Sequence, residues 1–382
     1  MFNITTLSPL TLYIHIPWCI RKCPYCDFNS HEANNQIPES QYVSALIADL
    51  EQDLPYIWGR RVESIFIGGG TPSLFSPEAF DQLLSQLRSH LQINPNAEIT
   101  LEANPGTFEY QKFKEYRALG INRLSIGIQS FNNDHLQRLG RIHGRAEAIK
   151  AAETAHDAGF DNFNLDLMFA LPQQTPAQAA DDLNTAISLE PTHVSYYQLT
   201  IEPNTLFHHQ PPEQPHDDTI AAIHNQGIEQ LALRGYQHYE VSAFAKEGRQ
   251  CFHNLNYWRF GDYLGIGAGA HGKITNAPQQ SITRTTKSRH PKDYLDDSRR
   301  TVNRTDLSTK DTAFEFMMNA LRMNDGFETS LFSERTGLGI NVIEQPLRRA
   351  EELELITWDI RQIQPTAKGR IYLNNLLELF ID

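Results

Sequence analysis

The chain is predicted to be an α/β protein: a partial (βα)6 TIM-like barrel followed by a mostly helical, winged-helix-like C-terminal module. Three observations predict this. Short strand-like runs alternate six times with amphipathic stretches through about residue 235. Each run has one apolar and one polar face. From about Asp311 onward the alternation gives way to helical periodicity with one short hairpin-like stretch, Leu353–Ile363.

In order, the strands are expected at Leu12–Ile16, Ser64–Ile67, Glu98–Glu102, Arg123–Gln129, Asn162–Leu167 and Val194–Thr200. The helices between them are expected at Gln41–Leu54, Pro77–Leu91, Tyr110–Leu119, Arg145–Ala158, Ala177–Leu189 and Thr219–Arg234. Six βα units in succession imply a parallel sheet built through right-handed crossovers. They are too few for a closed eight-fold barrel, which leaves a partial barrel, with a doubly wound open sheet as the alternative. Strand parity adds a prediction about function. Tyr13, His15 and Pro17 share one face of the first strand, Thr100 and Glu102 one face of the third, and Arg123, Ser125, Gly127 and Gln129 one face of the fourth. Asn162, Asn164 and Asp166 share a face of the fifth. These polar stripes repeatedly end in a carboxylate or amide at the C-terminal end of a strand, where α/β barrels bind ligands.

Beyond Gly235 the rhythm breaks into an aromatic- and glycine-rich stretch. Residues Ser281–Arg304 hold seven Lys/Arg against three Asp and are read as a linker or surface segment. The expected division is therefore a barrel over 1–240, an extension with linker over 241–307 and a helical domain over 308–382. Composition narrows the function classes. With 40% hydrophobic and 21% charged residues the chain is globular, and a formal net charge of −13 argues against a general nucleic-acid binder. A winged helix often binds DNA, yet residues 341–382 carry five basic and seven acidic side chains. No apolar run approaches the roughly 18 residues of a membrane-spanning helix, and the N-terminus lacks a signal-peptide pattern. A cytoplasmic protein is expected.

Three of the four cysteines, Cys19, Cys23 and Cys26, crowd into one loop directly after the first strand. Disulfide frameworks spread their cysteines; crowded thiols are more often metal ligands. Three thiolates on a [4Fe–4S] cubane leave one iron without a protein ligand, and the fourth cysteine, Cys251, is more than 200 residues away. The alternatives are a zinc site short of one nearby ligand or structural thiols. After the second strand comes Gly68-Gly69-Gly70-Thr71-Pro72-Ser73, whose glycines let backbone approach a ligand closely. It lacks the lysine of a P-loop. The run Gly267-Ala-Gly269-Ala-His-Gly272 matches a dinucleotide fingerprint on paper, but no helix is expected after it, so a nicotinamide or flavin site is rejected.

The C-x3-C-x2-C loop with YIHIPWC, KCPYCDF, IGGGTPS, LEANPGT, RLSIGIQSF, GRIHG, NLDLMFALP and HNLNYWRFGDYLGIGAGAHG resembles the radical SAM superfamily, and within it the HemW heme chaperones. The resemblance runs from about Leu12 to the C-terminus. It implies that Cys19, Cys23 and Cys26 ligate a [4Fe–4S] cluster and that S-adenosyl-L-methionine (SAM) binds its open iron. Tyr13 and Tyr25 resemble family SAM contacts; Gly69, Gly70 and Thr71 would receive the methionine amino end. Arg141 would pair with the carboxylate, while Glu102, Gln129 and Asp166 would address the amine and the ribose hydroxyls. His253, in the HNLNYW motif, is the candidate heme ligand, with Tyr257 and Trp258 as candidate flanks of a porphyrin face. His15 is expected to be a satisfied interior histidine; His143 and His271 belong to motifs without an assigned role.

The resemblance implies a heme carrier that serves membrane-bound respiratory acceptors through peripheral association, with homodimerisation left open. The alternative is a radical SAM oxidoreductase acting on coproporphyrinogen III. Phe28 stands where the oxidase pattern has a further cysteine, and only about eleven residues precede Leu12. Both departures argue against coproporphyrinogen decarboxylation, and Phe28 with the HNLNYW stretch favours the carrier.

Overall fold

Leu12, Ile14 and Ile16 are fully buried, and each such side chain contributes about 1.5–3 kcal/mol by leaving water. The strand that carries them is β1 (Leu10–Ile16), and the computed structural model, which describes residues 2–33, 36–106, 109–296 and 300–381, builds the barrel outward from it. Next come β2 (Arg61–Gly69), β3 (Gln92–Ala103), β4 (Arg123–Gln129), β5 (Phe163–Phe169) and β6 (His193–Gln198). All pair in parallel with their predecessors. The intervening helices are α1 (Glu39–Ile57), α2 (Pro77–His90), α3 (Glu109–Ala118), α4 (Arg145–Asp157), α5 (Pro176–Ser188) and α6 (Asp217–Leu233). Every strand and helix expected from the sequence is present.

Local signals account for the helix starts. Ser76 caps α2 by accepting from Ala79 N, Pro77 occupies the first turn, and Phe80, Leu83 and Leu87 bury one face. Thr175 and Gln178 form a reciprocal capping box on α5.

The remainder of the sheet departs from expectation. β7 (Gln237–Glu240) and β8 (Ala243–Ala245) form a hairpin that extends the β6 edge antiparallel. On the other side β9 (Asp262–Ile266) runs parallel to β1, followed by antiparallel β10 (His271–Asn276), β11 (Ser281–Lys287) and β12 (Thr301–Asp306). The order is β12-β11-β10-β9-β1-β2-β3-β4-β5-β6-β8-β7, and β7 and β12 stay apart among the described residues, so the barrel is open.

The reading of Ser281–Arg304 as a linker is corrected: β11 lies within it and β12 begins there. Three of its charges deceive because they are spent on carboxylates within the fold. Lys287 is fully buried between Asp49 and Asp53 of α1, Arg284 pairs with Glu315, and Arg304 with Asp53. An inward ion pair and a solvated basic patch look alike in a sequence.

Between β8 and β9, α7 (Phe252–Trp258) closes the floor of the barrel. Glu98 on β3 holds its start, accepting from Phe252 N and His253 N, both at 3.2 Å. The C-terminal module gathers α8 (Thr309–Ala320), α9 (Thr329–Thr336), α10 (Glu344–Glu352) and a small three-stranded antiparallel sheet. Its hairpin, Ile356–Trp358 with Gln362–Pro365, lies where one was expected. This module has its own core around Phe316, Phe332 and Leu347, to which Phe260 and Ile282 also contribute.

Candidate functional site

The cysteine loop leaves β1 at its C-terminal end. Trp18–Cys19 pairs with His31–Glu32, drawing the two ends of the loop together, and Cys26 N donates to Cys23 O at 3.1 Å to form the turn. Lys22 Nζ ties the far side by donating to Phe28 O and Ser30 O. Gly70 N and Thr71 N donate to Ile16 O (2.8 Å) and Trp18 O (2.7 Å), so the glycine run is strapped to the base of the loop. That approach explains the glycines. A Cβ on Gly70 would stand 2.5 Å from Trp18 O; Gly69 has φ +124° and its Cβ would meet His15 Cε1 at 2.7 Å.

All three thiols are free, and together with Gly69, Gly70 and Thr71 they wall one chamber of about 480 Å³ running down the barrel. Burial pushes the thiols of Cys19 and Cys26 up, so metal binding there must displace protons. No group of three His, Cys, Asp or Glu among the described residues is placed to hold a single metal ion. A cubane spreads its thiolates more widely than an ion does, one on each iron. Cys251 offers no fourth ligand: it lies buried beside α7 and donates to Glu98. The donor set of this chamber therefore fits a three-thiolate cluster and not a four-coordinate zinc.

The strand ends supply the rest of the wall. Glu102 Oε2 accepts from Gly69 N at 2.9 Å; burial, with Asp166 close by, pushes its carboxyl up to about 8 against that hydrogen bond. Asp166 is likewise raised by burial, though Asn164 Nδ2 (2.7 Å) and Ser125 Oγ (3.1 Å) donate to it. Arg141 Nη2 donates to Asn104 Oδ1 (2.7 Å) and Gly127 O (2.6 Å), and its Nη1 lies 3.7 Å from Cys23 Sγ. Gln129 ends β4 with φ +70°, strained for a non-glycine residue, at a register shift against β5. Tyr197 on β6 holds it there by donating to its Oε1 at 2.6 Å.

Eleven of the thirteen predicted residues thus line this one chamber, Tyr25 among them. Tyr13 does not. It bonds His15 Nδ1 at 2.9 Å and lines a second chamber of about 470 Å³, which shares Phe28, Gly69 and Glu102 with the first. His253 lines neither chamber. It is fully buried at the floor, Nδ1 paired with Ser64 Oγ (2.9 Å) and Nε2 with Tyr257 Oη (3.0 Å), and burial lowers its pKa to about 3. Coordinating an iron would require its ring to give up one of those partners.

Sequence reasoning missed Asn104, Tyr197 and the role of Glu98. Asn104 also donates to Thr71 Oγ1 at 2.7 Å, linking the glycine run to Arg141. LEANPGT contains Asn104 one position beyond the strand, so a parity count extended past β3 was the available signal.

Comparison with known proteins finds relatives along 98% of the chain. Residues 13–186 match the radical SAM superfamily and residues 307–372 the HemN C-terminal domain. The chain is 51% identical to the heme chaperone HemW of Escherichia coli over 375 residues, covering 98% of this chain and 99% of that protein. It is also 51% identical to HemW of Haemophilus influenzae over 379 residues (98% of each chain) and 33% identical to HemW of Bacillus subtilis over 386 (97% and 98%). Among solved structures, coproporphyrinogen III oxidase (HemN) from Escherichia coli superposes with a TM-score of 0.83 at 25% identity, covering 98% of this chain and 90% of that one.

Proposed function

We propose, starting from the fact that this chain belongs to the HemW family of the radical SAM superfamily, that it is a heme carrier whose barrel holds a [4Fe–4S] cluster and SAM. Cys19, Cys23 and Cys26 hold the cluster. When bound, it supplies one iron free of protein ligands. Gly69, Gly70 and Thr71 present backbone to the methionine end of SAM, and the Arg141 fork faces its carboxylate. Glu102, Gln129, Asp166 and Tyr25 address the remaining polar groups, while Tyr13 positions His15 behind Gly69. The carrier works in the cytoplasm and hands heme to membrane-bound respiratory acceptors by peripheral contact. No helix among the described residues is long and apolar enough to cross a membrane. Homodimerisation belongs to the same proposal. Residues 1–240, 241–307 and 308–382 serve as barrel, extension and C-terminal domain, with β11 and β12 included in the extension.

The observation that carries the reading is 51% identity to heme chaperones along 98% of the chain, against 25% to the oxidase of the same fold. The oxidase reading keeps one supporting observation, the shared fold. Anaerobic cluster reconstitution, followed by heme binding, transfer to an apo-acceptor and coproporphyrinogen turnover, separates the two. Heme bound and transferred without porphyrin product supports the carrier; product formation without bound heme overturns it.

A further inference from the structure

The second chamber has a wall that the cluster and SAM leave unused. Its aromatic side chains are Phe28, Tyr257, Trp258, Phe260 and Tyr263, and its volume of about 470 Å³ falls within the range of cofactor pockets. Apart from Phe28, which comes from the cysteine loop, the wall comes from α7, the turn after it and strands β9–β11. On β10, His271 and Lys273 are two residues apart and so share a face. Lys273 Nζ is committed there, 2.9 Å from Asp262 and 4.2 Å above the Phe260 ring. Cross-strand on β11, Arg284 faces Lys273 and is paired with Glu315.

His271 differs from these neighbours. Its Nδ1 meets Thr286 Oγ1 at 3.3 Å, and its Nε2 has no hydrogen-bond partner among the described residues. The other histidines lining the two chambers have both ring nitrogens engaged: His15 with Tyr13 Oη and Asn29 O, His193 with Asn164 Oδ1 and Tyr239 Oη. His253 is engaged on both sides and lies outside the chambers. Two further groups in this chamber await partners. Among the described residues the buried Trp258 indole N–H has no hydrogen-bond partner, and the exposed Arg289 guanidinium has none either.

An imidazole nitrogen, a set of aromatic walls and a free guanidinium together suit one ligand class, an iron tetrapyrrole with carboxylate side chains. We propose that heme is carried in this side chamber with His271 Nε2 as the axial ligand from the protein and Arg289 facing a propionate. The inference rests on the heme-carrier reading and moves the ligand from His253 to His271. Burial beside Arg284 and Arg289 lowers the His271 pKa and so keeps the imidazole neutral, the form that coordinates. Because Phe28, Gly69 and Glu102 border both chambers, heme held here lies next to the SAM site.

The test is hemin titration of the full-length, cluster-reconstituted protein, followed by the Soret band. His271→Ala is expected to change the Soret position and weaken binding about tenfold or more. Imidazole added to His271→Gly should restore the wild-type spectrum, which a misfolded variant cannot do. Arg289→Ala should weaken binding several-fold and leave the spectrum unchanged. Wild-type spectrum and affinity in His271→Ala overturn the assignment while leaving the carrier reading intact, as does loss of heme confined to His253→Ala. A wild-type protein that binds no hemin refutes the carrier reading itself.

Discussion

Replacing Lys287 with methionine would remove the cation at the centre of a buried ion cluster. Lys287 Nζ lies 2.5 Å from Asp49 Oδ1 and 2.7 Å from Asp53 Oδ2, and all three side chains are almost wholly buried. Asp53 keeps Arg304 at 2.9 Å, whereas Asp49 keeps only neutral donors, Tyr294 Oη at 2.7 Å and Gly267 N at 3.3 Å. Breaking a buried pair in this way costs about 3–5 kcal/mol. The deficit must also depend on pH. Burial already raises the Asp49 pKa above its unfolded value, and losing Lys287 raises it further. A carboxyl with a raised folded pKa favours the folded state at acid pH, and that contribution is lost as pH rises through the folded pKa. The deficit of Lys287→Met should therefore grow from pH 5 to pH 8, by at most about 1.4 kcal/mol per unit for one proton. Urea unfolding of wild type and variant at both pH values measures it. A deficit below about 1 kcal/mol, or one that does not change with pH, would refute the argument that this ion cluster pins β11, and with it a wall of the second chamber, to α1.

Three further outcomes follow from the geometry. Gly70→Ala sets a methyl against the Trp18 carbonyl, 2.5 Å away, and costs about 1–3 kcal/mol; iron content after reconstitution should fall while circular dichroism is unchanged, and full iron loading would count against the strapped-loop account. Arg141→Lys cannot span Asn104, Gly127 O and a ligand carboxylate together, so SAM affinity measured by equilibrium dialysis should drop about tenfold; an unchanged Kd excludes that pairing. Glu98→Gln weakens the hold on the start of α7 and removes the carboxylate 3.9 Å from the buried Arg123 Nε, lowering stability by about 1–3 kcal/mol. A urea midpoint equal to wild type would show that α7 is held in place by other contacts.

How much of this was legible in the sequence depended on which physical pattern wrote it. The six βα units read clearly because period-two and period-3.6 burial are strong: Leu124, Ile126 and Ile128 are fully buried on one face of β4, and Phe80, Leu83 and Leu87 on one face of α2. The same parity puts Glu102, Gln129 and Asp166 on the polar strand faces, which meet in one chamber. It failed for β9–β12. Lys273 is turned inward to Asp262 and Lys287 to Asp49, each pair more than ten residues apart in the chain, and a single sequence carries no sign of such pairing. His253 is the candidate only through the resemblance, which ties its HNLNYW motif to heme; in the fold its ring serves Ser64 and Tyr257 within the floor of the barrel. His271 has no assigned role in the sequence, where GAGAHG only mimics a dinucleotide fingerprint; the register of β10 against β11 sets the ring on the chamber wall.

The most direct test of the central claim is the electron paramagnetic resonance spectrum of the anaerobically reconstituted, reduced protein with and without SAM. A cluster held by Cys19, Cys23 and Cys26 should hold four irons per chain and give a signal that shifts when SAM occupies the open iron. A signal indifferent to SAM, or a protein that takes up no iron, would contradict it.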